Sequence, residues 1–275
     1  MSLDLTVLGG PIFASRSRVN SDSRDYGTFF ASSQQALLAR VVDGDPKSSW
    51  FSAVASDATT EILEFSVQDK SAITALPVDI IALQSINWKN FKVEWKAGVG
   101  SYAIVPGFDF TVTPFVGTDL ILDFAELSPD TYKITVTTTQ VANQLKQLGG
   151  FYAAKSTLQI VTADVSKYDK RYKEVLRDIT LGDGSRSIDY VRRSPISYEH
   201  YGASLELKYA TKAERGALRL IKSAGNPFTF IPEPYGDPGD VYTCLMPGAW
   251  NDKYASKFTG AGYIIGFNVE DVGAL

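Results

Sequence analysis

The sequence contains few of the residues that most often carry chemistry. One cysteine, Cys244, and one histidine, His200, occur among 275 residues. A single cysteine excludes an internal disulfide and any zinc site built from several cysteines. A single histidine excludes a His-rich metal centre and argues against a His-based catalytic triad. His200 lies close to Tyr198 and Tyr201 in a strand-like run, and we interpret it as a structural or surface residue.

Long apolar runs and an excess of positive charge are also missing. No segment approaches the roughly 18 apolar residues that a membrane-spanning helix needs. The first residues, Met1–Val7, lack the basic flank and long apolar stretch of an export signal. The formal net charge of −4 argues against binding to a phosphate backbone. We therefore expect a chain made in the cytoplasm, with no membrane segment and no nucleic-acid footprint.

Recognisable catalytic motifs are absent as well. No Gly-x-Ser-x-Gly motif occurs, and without further histidine or cysteine the usual nucleophile–base pairs cannot be assembled. Two carboxylates alone can hydrolyse glycosides, and the candidate pairs are Asp43 with Asp45 and Glu61 with Glu64. Acidic residues in turns are more often solvated caps. We therefore expect no enzymatic activity and keep a carboxylate-only glycosidase as the lesser alternative.

What the sequence does contain is apolar and aromatic residues in strand-like patterns. Hydrophobic residues make up 44% and aromatic residues 12% of the chain, which is ample for a packed core. From residue 29 to about residue 160, short runs that alternate or are rich in β-branched residues are bounded by Gly, Pro, Asp or Ser, which predicts a β-sandwich. The predicted strands are Glu61–Val67, Val78–Gln84, Phe91–Lys96, Tyr102–Ile104, Leu120–Phe124 and Tyr132–Thr139.

The second half is predicted to be β-rich with one helix. Thr211 and Glu214 form a capping-box pattern, and Gly225 followed by Pro227 ends the pattern, so we expect a helix from about Lys212 to Ala224. An Asp-Gly turn at residues 182–185 predicts a hairpin. The predicted strands of this half are Tyr172–Thr180, Arg186–Arg193, Ser197–Tyr209, Phe228–Pro232, Val241–Met246 and Gly262–Val269.

These patterns predict a mainly β protein of two sandwich domains. Residues 1–28 are polar and rich in Gly, Ser and Arg, and we interpret them as an extended N-terminal arm that docks on a neighbour. Residues 29–162 form the first predicted domain and residues 163–275 the second. The segment Thr162–Lys170 lacks a period and carries mixed charge, so we interpret it as the linker.

The turn cluster Asp43–Trp50 is the most distinctive local motif. Asp-Gly, Pro46 and the serines can fix the loop through local backbone bonds. Hard cations bind several oxygens supplied by one short, bent loop, so Asp43, Asp45 and Ser48 are candidate calcium ligands. A metal-free Asx-type turn is the simpler alternative.

Trp88 is the candidate sugar-binding side chain. It lies in the sequence Asn87-Trp88-Lys89-Asn90, which is typical of a loop, whereas Trp95 alternates with Phe91 and Val93 and is expected in the core. An exposed indole can stack on a sugar ring, so we expect Trp88 to contribute to carbohydrate binding if the domain binds a glycan.

Residues 30–160 resemble the discoidin, or coagulation factor 5/8 type C, jelly roll, a galactose-binding-like sandwich found in carbohydrate-binding modules. The resemblance lies in the order of Val42–Pro46 with Trp50, then Glu61–Phe65, Asp79–Leu83, Asn90–Trp95 and Tyr132–Val136. By this resemblance the family's calcium loop maps to Asp43, Asp45 and Ser48. No sugar-contacting residue of the family can be transferred.

Residues 166–275 are similar to minor and distal tail proteins of tailed phages, in which a β-sandwich with one flanking helix assembles into rings. The similarity lies in Leu205–Leu207, Ala213–Leu218, Gly225–Phe230 and Tyr263–Glu270. It implies a homo-oligomeric ring, a hexamer by resemblance, with neighbouring tail proteins as partners. The implied location is the virion tail, after synthesis in the cytoplasm of the bacterial host.

The two resemblances lead to one functional expectation and one alternative. We expect a structural, ring-forming component of a phage or phage-derived tail whose first domain binds a cell-surface glycan. The alternative is a lectin-like carbohydrate-binding protein with no tail role. No cofactor is expected other than calcium at the predicted loop.

Overall fold

The computed structural model describes residues 11–15, 17, 29–42, 48–66, 77–160, 164–174, 176–180, 186–190, 199–234, 241–254 and 262–271. This part of the chain is mainly β, which confirms the predicted fold class. It forms two compact units. Unit 1 comprises chiefly Met1–Val161 and Phe228–Thr243, and unit 2 comprises chiefly Thr162–Pro227 and Cys244–Gly273. The predicted domain scheme placed residues 228–243 in the second domain, whereas they belong to unit 1.

Unit 1 contains thirteen complete strands and a 3₁₀ helix, Gln35–Val42, among the described residues. The strands are β1 (Ile12–Ser15), β2 (Phe29–Ala31), β3 (Trp50–Phe51), β4 (Glu61–Ser66), β5 (Val78–Gln84), β6 (Trp88–Lys96), β7 (Ala103–Asp109), β8 (Leu120–Leu127), β9 (Thr131–Thr139), β10 (Gln147–Leu148), β11 (Gly150–Ala154), β12 (Ser156–Gln159) and β17 (Phe228–Ile231).

Two sheets of unit 1 face each other across its main core. One sheet has the order β2-β4-β9-β6-β7 and the other has the order β11-β5-β8. β9 alternates from Thr131 to Thr137, with Tyr132, Ile134 and Val136 fully buried and the intervening residues half-exposed. This alternation is what a strand with one buried face requires, and it is the reason that the sequence pattern of β9 could be read correctly.

β5 is buried on both faces, which explains its continuous apolar sequence. Ile81 and Leu83 belong to the core shared with the five-stranded sheet. Ile80 and Ala82 pack in a second cluster that includes Ile12 of β1. A strand covered on both sides has no polar face, so the sequence of β5 shows no alternation.

β1 lies inside the region that the sequence predicts to be an arm. It pairs with β12 on one side and with β17 on the other, and its Phe13 ring lies 5.1 Å from the ring of Phe230. Phe13 is fully buried. In this described part of residues 1–28 the chain is therefore a buried strand of its own unit. The sequence did not indicate this because the pairing strands are distant in the chain.

Unit 2 contains the strands β13 (Asp164–Glu174), β14 (Leu176–Thr180), β15 (Arg186–Tyr190), β16 (Glu199–Ala210), β19 (Asn251–Tyr254) and β20 (Tyr263–Asp271). Cys244 and Leu245, the last residues of β18 (Tyr242–Leu245), pair with β20. β20 also pairs with β16 and β19, β16 pairs with β13, and β14 pairs with β15. The β14–β15 pair confirms the hairpin around residues 182–185. Tyr172–Glu174 of the predicted first strand belong to β13, and residues 191–193 of the predicted second strand lie outside the described residues.

β13 shows that the predicted linker, Thr162–Lys170, was wrong. The chain is a strand from Asp164 onward and pairs with β16 as far as Glu174 and Glu199. β16 has a clear inward face, with Tyr201, Leu205 and Leu207 buried. The extended pairing with this strand fixes β13 even though its own sequence has no apolar period.

The helix α1 (Lys212–Ala224) has the predicted bounds and caps. The Thr211 hydroxyl accepts a hydrogen bond from the backbone N–H of Glu214, and the Glu214 carboxylate accepts one from the Thr211 N–H. Gly225 ends the helix at φ 64° and donates to the carbonyl of Lys222. Reciprocal capping of this kind satisfies backbone donors that a helix start otherwise leaves free.

Candidate functional site

The loops of unit 1 gather at one end of its sandwich, which we call the loop end. β4 and β6 begin there, and β9 and β7 end there. The connection from β5 to β6 brings the second sheet to the same end. The loop end consists of residues 52–60, 85–87, 110–119 and 140–149.

Lys146 joins two of these loops from the inside. Its side chain is fully buried, and its Nζ donates to the carbonyl oxygens of Ser56 at 2.7 Å and Thr59 at 2.9 Å. The backbone of Lys146 also exchanges hydrogen bonds with Ser52. A buried ammonium is costly unless its hydrogen-bonding capacity is used, so these contacts fix loop 52–60 against loop 140–149.

Asp57 makes a second connection between the same loops. Its Oδ1 accepts from the backbone N–H and the hydroxyl of Thr139, both at 3.0 Å, and its Oδ2 accepts from the backbone N–H of Asn143. Partial burial raises the pKa of Asp57, but the hydrogen bonds from Thr139 and Asn143 and the positive charge of Lys146 outweigh it, so the pKa lies below its ordinary value. The carboxylate therefore stays ionised in the folded chain.

Asn87 links loop 85–87 to loop 140–149. Its carbonyl accepts from the Gln140 N–H, its side-chain Nδ2 donates to the Leu145 carbonyl, and its Oδ1 accepts from the Gln147 N–H. Loop 110–119 is attached in turn by the Ile86 N–H, which donates to the Thr118 carbonyl at 2.7 Å. All four loops are thus held in fixed positions relative to one another.

Two segments of the loop end carry no charged residue and expose apolar side chains. Residues 110–118 and 140–145 contain no Asp, Glu, Lys or Arg. Exposed aliphatic side chains lie on three of the loops, at 53% exposure for Val54 and at 86% or more for Val112 and Val116, with Val141 and Leu145 also exposed. Exposed amides, among them Gln144, lie between them. An exposed apolar patch rimmed by polar groups is typical of a binding surface.

The candidate calcium ligands are placed only in part. Asp43 and Asp45 lie outside the described residues, so the calcium site stays a prediction. The Ser48 hydroxyl donates to the carbonyl of Arg40 at 2.9 Å. Within the residues that the structure describes, no group of three or more His, Cys, Asp or Glu side chains is arranged to hold a metal ion.

Trp88 does not have the position that sugar stacking requires. It is the first residue of β6 rather than a loop residue, and its side chain is fully buried. Its ring packs edge-on against Phe91 with 5.3 Å between ring centroids. The indole therefore offers no face to a ligand, and Trp88 is corrected to a core residue. The sequence could not distinguish an inward first residue of a strand from an outward loop residue.

The carboxylate pair Glu61 and Glu64 does not converge. Glu61 is buried and accepts from the hydroxyls of Ser32 and Ser33. Glu64 lies on the opposite face of β4, where its carboxylate accepts from the hydroxyl of Tyr102. The pair cannot act on one glycosidic bond in this arrangement.

Sequence reasoning did not identify Lys146, Asp57 or Asn87. Their hydrogen-bond partners lie far away in the chain, 94 residues between Lys146 and Ser52 and 82 residues between Asp57 and Thr139. No local pattern carries that information. The one available signal is Lys146 itself, a charged residue just before the short strand β10, and this signal is too common to select it.

Comparison with known proteins gives likenesses in fold only. No protein-family model matches the chain, and no curated protein matches it. Among solved structures, chitosan-binding module 1 of a chitosanase/glucanase from Paenibacillus sp. IK-5 is similar at 14% identity and a TM-score of 0.41, over 51% of this chain and 98% of that one. Chitosan-binding module 2 of the same enzyme, solved with chitotriose, is similar at 16% identity and a TM-score of 0.40, over 50% and 98%.

A CBM32-6 module produced by Clostridium perfringens is similar at 10% identity and a TM-score of 0.40, over 50% of this chain and 98% of that one. These three structural neighbours are carbohydrate-binding modules, the kind of protein in which the discoidin-like sandwich occurs. At these identities and TM-scores the likeness carries no argument about what this chain binds. The phage-tail resemblance gains no support from the comparisons.

No helix among the described residues has both the length and the apolar character needed to cross a bilayer.

Replacement of Lys146 by Met should loosen the loop end without unfolding unit 1. The methionine keeps the apolar stem but leaves the Ser56 and Thr59 carbonyls without their donor, which should cost about 1–3 kcal/mol of unfolding free energy. Urea denaturation measures the cost, and hydrogen–deuterium exchange should show faster exchange in residues 52–60. The exposed Lys89, changed to Met, is the control and should alter stability by less than about 0.5 kcal/mol. Equal effects of the two substitutions would contradict the assignment.

Asp57 should make unfolding free energy depend on pH in acid. Because the folded-state pKa lies below the ordinary value of 3.8, the stabilisation is fully present above that value and is lost as the pH falls through the folded-state pKa. The stability difference between the wild type and Asp57→Asn should therefore shrink as the pH is lowered from about 6 to about 3. Asp123→Asn, at an exposed position of β8, should not reproduce this trend. A difference that stays constant with pH would refute it.

Proposed function

We propose that unit 1 binds a neutral carbohydrate of a cell surface through its loop end. The observation that carries the proposal is the surface formed by residues 110–118 and 140–145, which lack charged side chains and are held by a fixed hydrogen-bond network. Sugar rings combine apolar C–H faces with many hydroxyl groups. Exposed aliphatic side chains with amides between them provide contacts of both kinds, and loops already held in place reduce the entropy that binding must overcome.

Two alternative functions, nucleic-acid binding and glycoside hydrolysis, are less well supported by this surface. A polyanion such as nucleic acid needs lysine or arginine at the contact surface, and residues 110–118 and 140–145 contain neither. Of the two carboxylate pairs considered for a glycosidase, Glu61 and Glu64 point to opposite faces of β4, and Asp43 and Asp45 lie outside the described residues. Binding without bond cleavage is therefore the function that we propose for this surface.

A glycan array of neutral oligosaccharides, including chito-oligosaccharides, tests the proposal. Gln144→Ala removes an exposed amide, and Val116→Asp places a charge on the apolar surface; each should weaken binding about tenfold or more. Val99→Asp is the matched control, because Val99 is fully exposed on the β6–β7 turn at the opposite end of these strands. It should bind like the wild type. Absence of any neutral ligand, or equal loss in all three variants, would rule the proposal out.

We also propose that the chain is a ring-forming component of a phage or phage-derived tail, in which unit 1 is the binding unit. The favouring observation is β13, an eleven-residue strand at the end of the strand order of its sheet. Among the described strands its partner is β16, and no described strand pairs with its other edge. An open edge of this length is a template for strand addition between subunits.

Light scattering coupled to size-exclusion chromatography should give a mass that is a fixed multiple of 30.0 kDa as the protein concentration is raised. Hydrogen–deuterium exchange should then show added protection in residues 164–174, because their outward amides become bonded. A mass of one chain at every concentration, including with tail proteins present, would remove the support for ring formation.

A further inference from the structure

Unit 2 carries an aromatic and cationic cluster at the end of the β19–β20 pair. Tyr254 and Tyr263 lie directly opposite each other in the antiparallel register, with 4.9 Å between ring centroids. Tyr254 is 71% exposed. A large aromatic ring that is this exposed and also lies on a regular strand presents a flat apolar face to solvent.

Arg215 fixes this pair against the helix α1. Its guanidinium carbon lies 4.5 Å from the centre of the Tyr263 ring, and its Nε donates to Asp252 Oδ2 at 2.5 Å. Arg219 reaches the same oxygen at 3.0 Å from its Nη2. Hydrogen bonding from Arg215 lowers the pKa of Asp252, so the carboxylate is ionised and satisfied by two arginines. Arg215, itself held by Asp252, therefore fixes the position of the Tyr263 ring.

The cluster keeps a net positive charge despite Asp252. Arg215 and Arg219 share that one carboxylate, and Lys212 in the first turn of α1 adds a further positive charge that acts on Tyr254. About half of the Arg219 side chain is exposed. The chain as a whole has a formal net charge of −4. The excess of positive charge is therefore a property of this surface and not of the whole protein.

We infer that the surface formed by Tyr254, Tyr263, Arg215, Arg219 and Lys212 binds an acidic polysaccharide, with a sugar ring stacked on Tyr254 and its carboxylate paired with the exposed cations. Stacking on tyrosine uses the C–H face of a sugar ring, and arginine binds carboxylates through paired N–H donors. Charge complementarity excludes a neutral sugar as the preferred ligand here. The surface belongs to unit 2, and its ligand differs in charge from the one proposed for the loop end, so the inference goes beyond the function proposed for unit 1.

Isothermal titration of the full chain with polygalacturonate oligomers tests the inference, with dextran oligomers as the neutral comparison. Binding should be measurable for polygalacturonate, should weaken as salt is raised, and should be at least about tenfold weaker for Tyr254→Ala and for Arg219→Gln. Both residues are exposed, so neither change removes a core side chain, and thermal unfolding confirms that the variants are folded.

Two control variants keep the result specific. Lys253→Gln removes one positive charge from the neighbouring, exposed residue of β19 and should bind like the wild type if the cluster, and not general charge, is responsible. Gln144→Ala, at the loop end of unit 1, should leave polygalacturonate binding unchanged, which separates this inference from the function proposed for unit 1.

Equal affinity for dextran, or equal loss in Lys253→Gln, would overturn the inference. Binding of a thymidine oligonucleotide that is tighter than that of polygalacturonate and lost in Tyr254→Ala would assign the surface to single-stranded nucleic acid instead.

Discussion

The packing of the central strand β9 is the constraint on which unit 1 depends. Tyr132, Ile134 and Val136 enter the core from this strand, and β4 and β6 pair with its two edges. The same strand ends at Thr139, whose N–H and hydroxyl are taken up by Asp57. The last residue of the most regular strand therefore also anchors a loop of the loop end. Through this contact the sheet holds the loops in position.

The two candidate surfaces differ in how they are built and in what they can recognise. The loop end rests on buried polar groups, above all Lys146, and residues 110–118 and 140–145 of its surface carry no charge. The cluster around Tyr254 rests on an ion pair and a cation–π contact, and its charge faces solvent. Internal charges fix a surface without attracting ions, whereas exposed charges select ligands by sign and are screened by salt. One chain can thus present two kinds of specificity.

Local sequence patterns predicted those elements whose cause is local. α1 was correct at both ends because Thr211, Glu214 and Gly225 act within one turn of the residues that they cap. β9 was readable because its burial alternates. β1 and β13 were missed because strands far along the chain hold them in place. Lys146 and Asp57 were not predicted for the same reason, because their partners are also distant in the chain. The prediction for Trp88 was wrong because the opposite sheet decides whether the first residue of a strand is buried.

The order of the strands in unit 1 has a consequence for how the chain can be divided. β1 is enclosed by β12 and by β17, and β17 follows in sequence only after residues 162–227, which belong to unit 2. The first segment of unit 2, Thr162–Pro227, thus interrupts unit 1, and its second segment, Cys244–Gly273, follows the last segment of unit 1. A fragment that stops at residue 161 would lack Phe230 and so expose the Phe13 ring that packs against it. Excision of the sandwich therefore requires that residues 228–243 be reattached, for instance through a short engineered connection.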